Sequence, residues 1–263
     1  MHIDLSQRHA IVTGSTAGIG LAIASGLAAA GAHVVITGRT QARVDEAIAS
    51  IAKGVSGARL SGVAGDLGTR EGAERLIAEV LQTDILVNSL GIFEPKAFLD
   101  IPDEDWRRFF EVNVLSGVRL SRHYFPRMLA KNWGRVIFIS SESGVMTPPE
   151  MVHYGVTKSS QLAVSRGMAE LTKGTGVTVN AVMPGPTRSE GIVEFLQKVA
   201  SPGVSAAEAE HEFFEKHRTS SLLQRLIEDH EVASMVAYLA SPLSAATNGA
   251  ALRVEGGLLR SIV

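Results

Sequence analysis

Ala10-Ile-Val-Thr-Gly-Ser-Thr-Ala-Gly-Ile-Gly20 opens on a short apolar run and carries three glycines, Gly14, Gly18 and Gly20. The run predicts a buried strand. Beyond it, Ile19, Ala22, Ile23, Leu27 and Ala30 recur at helical spacing. Glycines between a strand and a helix permit a tight turn and let a ligand approach the backbone, while the helix start offers free N–H groups to a pyrophosphate. The G-x-x-x-G-x-G spacing differs from the commoner G-x-G-x-x-G, but the physics is similar. A tight structural turn without a ligand is the alternative, and the flanking strand and helix favour dinucleotide binding. Outward from this unit, Val34-Val-Ile36 reads as a second strand. There follow a helix near 40–53, a strand near 58–64, a helix near 69–80 and the strand Ile85–Val87. A long helix near 103–131, the strand Arg135–Ile139, a helix near 152–173 and the strand Val177–Val179 complete the alternation. Strands alternating with helices predict an α/β fold, a doubly wound parallel sheet with helices on both faces. With no linker, repeat or low-complexity tract, residues 1–263 read as a single domain.

The chain has 263 residues, 45% of them hydrophobic, enough for a substantial core. A formal net charge of −2 gives no global electrostatic reason to expect nucleic acid or an anionic membrane. Zero cysteines exclude disulfides, thiolate catalysis and Cys-ligated zinc, and fit a cytoplasmic location. No metal site is expected. Met1 to Arg8 lacks a basic segment followed by an apolar one, so no signal peptide is indicated. No Asp, Glu, Lys or Arg occurs between Arg8 and Arg39, a stretch long enough to span a bilayer. Gly14, Gly18, Gly20 and Gly31 interrupt it, and it reads better as a buried strand-helix-strand.

The chemistry-bearing stretch is Tyr154-Gly-Val-Thr-Lys158, whose tyrosine falls thirteen residues after Ser141. Residues four apart share a helix face, so the Lys158 ammonium can lie near the Tyr154 phenol and favour its ionised form. A phenol, with a reference pKa of about 10, needs that help near neutral pH. Any amphipathic helix can carry such a pair by chance. Its weight comes from its position relative to Ser141 and the glycine turn, and together these point to a nicotinamide-dependent oxidoreductase.

With these motifs in order, the chain resembles the short-chain dehydrogenase/reductase family over essentially its full length, which implies a Rossmann-type fold. The resemblance implies that Gly14, Ser15, Thr16, Gly18, Ile19 and Gly20 form the cofactor turn, with Asp66 and Leu67 on the adenine side. The family's Asn-Asn-Ala-Gly motif appears as Asn88-Ser-Leu-Gly91, keeping Asn88 and Gly91 and placing the larger Leu90 beside the cofactor. It further implies a catalytic tetrad of Asn113, Ser141, Tyr154 and Lys158. Tyr154 is the proton donor or acceptor, Ser141 stabilises the carbonyl oxygen, Lys158 binds the nicotinamide ribose, and Asn113 holds a water in a proton relay. Ser140 competes with Ser141, which the spacing favours, and His153 is assigned a solvent or pocket-lining role. Pro184 and Gly185 open the segment that meets the carboxamide, with Thr187 contributing its backbone and Ser189 its hydroxyl; a serine N-cap is the alternative for Ser189.

Cofactor choice turns on Thr37-Gly-Arg-Thr40. An acidic residue at the end of the second strand would bind the 2′-hydroxyl of NAD(H) and repel a 2′-phosphate. Gly38 stands there and Arg39 follows, so NADP(H) is preferred and NAD(H) stays possible. Residues 190–218 carry apolar faces at Ile192, Val193, Phe195 and Leu196 and at Phe213 and Phe214, and read as a substrate lid or as surface helices. With Phe93, Val145, Met146 and Met151, a mostly apolar pocket is expected, and Arg188 is a weak candidate for clamping a carboxylate. The reading is an NADP(H)-preferring enzyme for a small-molecule carbonyl or secondary alcohol, without nucleic-acid or membrane partners. The resemblance implies a homotetramer or homodimer, formed through the two long helices and the strand near Leu252–Gly257. Two alternatives stay open. One is a 3-oxoacyl-carrier-protein reductase, needing a basic docking patch for which Arg127, Lys131 and Lys173 are ordinary helix-end charges. The other is a dinucleotide-sensing protein without turnover.

Overall fold

In a computed structural model, which describes residues 2–262 without the side chains of residues 190, 194, 198 and 199, the apolar runs pair into one parallel sheet. Its strands are β1 (His9–Val12), β2 (His33–Gly38), β3 (Arg59–Ala64), β4 (Ile85–Asn88), β5 (Gly134–Ile139), β6 (Val177–Pro184) and β7 (Ala251–Val254). They lie in the order β3-β2-β1-β4-β5-β6-β7. The helices are α1 (Gly18–Ala29), α2 (Gln41–Gly54), α3 (Arg70–Glu79), α4 (Asp103–Phe110), α5 (Ser116–Ala130), α6 (Val152–Glu170), α7 (Glu190–Val199), α8 (Ala206–Lys216) and α9 (Asp229–Ala240).

The strands are apolar on both faces because both faces are covered. Alternate residues divide between two cores. Ala10, Val12, Val34, Ile36, Ile85 and Val87 pack with Ile23 and Leu27 of α1 and Val236 and Leu239 of α9. Ile11, Val35, Leu86, Val136 and Phe138 pack with Leu76 of α3 and Tyr124 and Met128 of α5. The charge-free stretch after Arg8 is β1, α1 and β2, and no helix among the described residues is long and apolar enough to cross a membrane. The strand order reverses between β1 and β4, and such a switch point opens a crevice at the carboxyl ends of the strands. The glycine turn and Asn88–Gly91 both sit there.

Two local features depart from the sequence reading. α9 carries no chemical motif, was not anticipated, and closes the core against α1. The helix expected over 103–131 is two helices, with one π-turn at Glu111–Leu115 between them. Such single-turn insertions often mark functional positions, and this one carries Asn113. Leu196 of α7 and Ala209, Phe213 and Phe214 of α8 form, with Leu226, a separate apolar cluster.

Candidate active site

The glycine turn is held from both sides. Thr13 Oγ1 accepts from the amides of Ser89 (2.8 Å) and Leu90 (2.9 Å), tying the end of β1 to β4. Ser15 Oγ donates to the Val12 carbonyl (2.7 Å) and accepts from the Thr37 amide (2.9 Å), tying it to β2. Gly14 and Gly18 adopt φ of 63° and 52°, and a Cβ on Gly20 would stand 2.2 Å from the Gly14 oxygen. Only glycine fits there. Ala17 offers no side-chain cap to α1, so the first-turn N–H groups keep their capacity for an anionic ligand. The cradle therefore fits a dinucleotide. Leu90 packs partly on the α3/α5 core and also lies against the turn, its Cα and Cδ1 3.3 and 3.5 Å from where a Cβ on Gly14 would stand.

At the adenine end, Thr16 fills the space where a larger residue 38 would go: a Cβ on Gly38 would lie 2.5 Å from Thr16 Cγ2. Arg39 is exposed and makes no ion pair among the described residues. Asp66 is exposed, its Oδ1 accepting from the Gly68 amide (3.0 Å), while Leu67 is buried. Asn88 is buried and donates from Nδ2 to Ser121 Oγ (3.3 Å), fastening β4 to α5.

Gly14, Ile19, Gly20 and Gly91 line one side of a cavity of about 310 Å³, and Pro184, Gly185, Thr187 and Ser189 line another. Ser141, Tyr154 and Lys158 complete it. Ser15, Thr16, Gly18, Arg39, Asp66, Leu67, Asn88 and Asn113 stand outside the cavity wall. Ser140 is distinguished from Ser141 by its bond: its hydroxyl donates to the Lys158 carbonyl (2.8 Å) and holds α6 in place. Ser189 Oγ accepts from the Ile192 amide (3.3 Å), so it caps α7 while facing the cavity.

Lys158 is buried and donates to the Ile139 carbonyl (3.0 Å) and to Gln161 Oε1 (3.2 Å). Its ammonium lies 5.5 Å from the centroid of the Tyr154 ring. Burial pushes its pKa down to about 8, against a smaller upward pull from Glu142. Tyr154 does not show the lowered pKa expected from Lys158. Burial of its hydroxyl pushes the phenol well above the ordinary range, Glu142 adds to this, and the Ser141 hydroxyl offsets part of it. Without a ligand the phenol is a held proton. Because the folded Lys158 pKa lies below that of the unfolded chain, the unfolded state binds the extra proton between about pH 8 and 10.5. Wild-type stability should therefore rise across that window relative to Lys158→Met, as read from denaturant midpoints at stepped pH. Parallel pH profiles for the two proteins would contradict the assignment.

Asn113 is engaged through both its side chain and its carbonyl. Its Oδ1 accepts from the Ile92 amide (2.8 Å), and its Nδ2 donates to the Ile92 carbonyl (3.0 Å) and Thr157 Oγ1 (3.0 Å). Its carbonyl accepts from Gln161 Nε2 (2.6 Å). Gln161 thus bridges Asn113 to Lys158. An amide presents a fixed donor and a fixed acceptor, so the bridge positions the lysine. Gln161 was missed, although it lies three residues beyond Lys158 and seven beyond Tyr154, on the same face of α6.

Three further expectations need correction. His153 is fully buried, its ring 4.0 Å from that of Phe109 by centroid and 6.1 Å from Trp106; it lines no cavity, and burial lowers its pKa. Val145 and Met146 are exposed and lie outside the cavity, whereas Phe93 and Met151 line it. Arg188 is engaged by Glu228 (3.0 Å) and Glu210 (3.1 Å), which raise its pKa, and is not available as a clamp. The pocket is mostly apolar, as expected, but two charged residues, Glu142 and Arg218, also line it. Glu142 was legible as the neighbour of Ser141. Nothing in the sequence singled out Arg218.

A family model described as Enoyl-(Acyl carrier protein) reductase matches residues 14–259. The chain is 51% identical over 264 residues to the uncharacterized oxidoreductase YvaG of Bacillus subtilis, covering 100% of both chains. It is 34% identical over 257 residues to dehydrogenase/reductase SDR family member 4 of Caenorhabditis elegans, covering 95% of this chain and 94% of that one. Among solved structures, L-sorbose reductase from Gluconobacter frateurii, complexed with NADPH and L-sorbose, superposes with a TM-score of 0.92 at 29% identity over 100% of both chains.

Proposed function

Since the chain belongs to the short-chain dehydrogenase/reductase family and is an oxidoreductase using a nicotinamide dinucleotide, we propose that it prefers NADP(H) and interconverts a carbonyl with a secondary alcohol, with Tyr154 as the acid/base. The observation that carries this reading is the convergence of Ser141, Tyr154 and Lys158 on the cavity that the glycine turn also lines. The bound cofactor supplies or accepts the hydride. In reduction Tyr154 gives its proton to the carbonyl oxygen, and its raised pKa keeps that proton in place until the substrate binds. Ser141 stabilises the charge developing on the same oxygen. Lys158, fixed by Ile139 and Gln161, faces the ribose hydroxyls, and Asn113 holds the frame from the π-turn.

Support for NADP(H) comes from Gly38, where Thr16 blocks an acidic side chain, and from the unengaged Arg39. Arg39→Asp should weaken NADPH by about 1.5–3 kcal/mol, or roughly ten- to a hundredfold, in a binding titration. Tighter binding of NADH than of NADPH by the wild type would overturn the preference.

A carrier-protein substrate is disfavoured by where the candidate cations stand. Arg127 and Lys131 end α5 ahead of β5, and Lys173 follows α6 ahead of β6, so all three sit at the edge of the sheet opposite the pocket. A homotetramer or homodimer is supported by the exposed Phe110 on α4 and Val156 on α6 and by β7, the last strand of the sheet.

Residues 190–218 act as a lid in this reading, because Ile192, Phe195 and Phe213 line the cavity while α7 and α8 keep their own core. Their amides should exchange faster than those of the sheet in the free protein and slow on adding cofactor and substrate. Exchange as slow as the sheet's, unchanged by ligands, would make them fixed helices.

A further inference from the structure

Two ionisable side chains in the pocket are left over by the hydride-transfer reading. Glu142 is 5% exposed and follows Ser141. Its Oε2 accepts from Ser141 Oγ and its Oε1 from Ser143 Oγ (3.2 Å). Arg218 is 8% exposed, and its Nε is buried without a hydrogen-bond partner among the described residues. Its Nη1 and Nη2 each lie 3.3 Å from Glu150 Oε1, and Nη1 also donates to the His217 carbonyl (2.8 Å). Phe93, Met151, Phe195 and Phe213 supply the apolar remainder of the wall.

We propose that Glu142 and Arg218 form a hydroxyl-binding subsite, so that the pocket selects a neutral ketone bearing a hydroxyl on the carbon next to the carbonyl, and the vicinal diol in reverse. This rests on the reading of Ser141 and Tyr154 as the groups that address the carbonyl oxygen. Glu142 is one hydrogen bond from Ser141 Oγ, and two oxygens on adjacent carbons are separated by about the same length. A carbonyl held at Ser141 therefore brings an adjacent hydroxyl to the carboxyl. The carboxyl accepts from that hydroxyl, and the Arg218 guanidinium, which lines the same cavity, supplies an N–H donor to it or to the next hydroxyl along. An unsubstituted ketone offers neither group a new partner, whereas the hydroxylated substrate pairs with both. A carboxylate fits poorly, because Arg218 already faces Glu150 and feels Glu142, leaving no net positive charge at this end. Burial raises the pKa of Glu142, and the Ser141 hydroxyl, Arg218 and Ser143 offset part of this. The reaction is the ordinary two-electron reduction. Hydride from the reduced nicotinamide forms the new C–H bond, the C=O π pair becomes the oxygen lone pair that takes the Tyr154 proton, and the nicotinamide is oxidised.

The test uses three substrates of equal carbon number, hydroxyacetone, acetone and pyruvate, with the full-length protein and reduced nicotinamide. The wild type should show kcat/KM for hydroxyacetone roughly 10- to 100-fold above acetone and pyruvate, the range of a hydrogen bond to a charged group. Glu142→Leu and Arg218→Met should bring the hydroxyacetone-to-acetone ratio towards one, and Glu142→Gln, which keeps volume and an acceptor oxygen, should retain part of it. If Glu142→Leu does not fold, Arg218→Met and Glu142→Gln still carry the comparison. A merely structural Glu142 would lower both substrates together and leave the ratio unchanged, which overturns the proposal. Preference for acetone or for pyruvate also overturns it. Reduction of ketones without preference removes this subsite alone, whereas failure to reduce any carbonyl compound removes the hydride-transfer reading with it.

Discussion

Tyr154→Phe should lower turnover by at least ~10²–10⁴ while leaving dinucleotide affinity about unchanged. The substitution removes one oxygen and keeps the ring, which packs edge-on to Phe93 at 6.4 Å. The glycine turn is held by Thr13 and Ser15 and does not depend on the phenol. The loss should therefore fall on kcat, with the fold and the cofactor site intact by circular dichroism and fluorescence titration. Near-wild-type turnover by the purified variant would remove Tyr154 from the chemistry.

Ser141→Ala should cost ~10²–10³ in kcat, the range for one donor aimed at a developing oxyanion. In the free pocket the same hydroxyl accepts from the Ser143 amide (3.1 Å) and donates its one hydrogen to Glu142, so donating to the oxyanion means redirecting that hydrogen, and losing the hydroxyl also frees the carboxyl beside it. Groups acting on one oxygen are not independent. The double variant Ser141→Ala/Tyr154→Phe should accordingly lose much less than the product of the single losses. Strictly multiplicative losses would mean that the two residues serve different steps.

The sheet was legible because its strands are short apolar runs separated by helical spacing, and a parallel sheet buried on both faces leaves that trace. α9 was not, since an amphipathic helix with no chemical motif is recognised only through what it packs against, here α1. The break at Glu111–Leu115 was equally hidden: helical periodicity runs through a π-turn almost undisturbed, and the turn becomes visible only through the bonds of Asn113. Within the site, Ser141, Tyr154 and Lys158 were readable from spacing. Glu142 was legible only as the neighbour of Ser141 and Arg218 not at all, because their meaning is a shared wall between residues far apart in sequence, and Arg218 lies at the end of a segment read for its apolar faces as a lid or as surface helices. The lowered phenol pKa anticipated from Lys158 failed for a related reason. Helical spacing brings the two side chains to one face, but burial of the phenol, with Glu142 adding to it, raises its pKa, and the ammonium is held by the Ile139 carbonyl and Gln161.

The central claim is carbonyl reduction and alcohol oxidation driven by a nicotinamide dinucleotide. Its most direct test follows the absorbance of the reduced nicotinamide as the purified protein meets a panel of ketones, oxoacyl thioesters and secondary alcohols, each with both phosphorylated and unphosphorylated cofactor. The account predicts oxidation of NADPH with at least one ketone, faster than of NADH, and its disappearance in Tyr154→Phe. Dinucleotide binding with no turnover of any member of the panel would instead identify a sensor that holds the cofactor without using it.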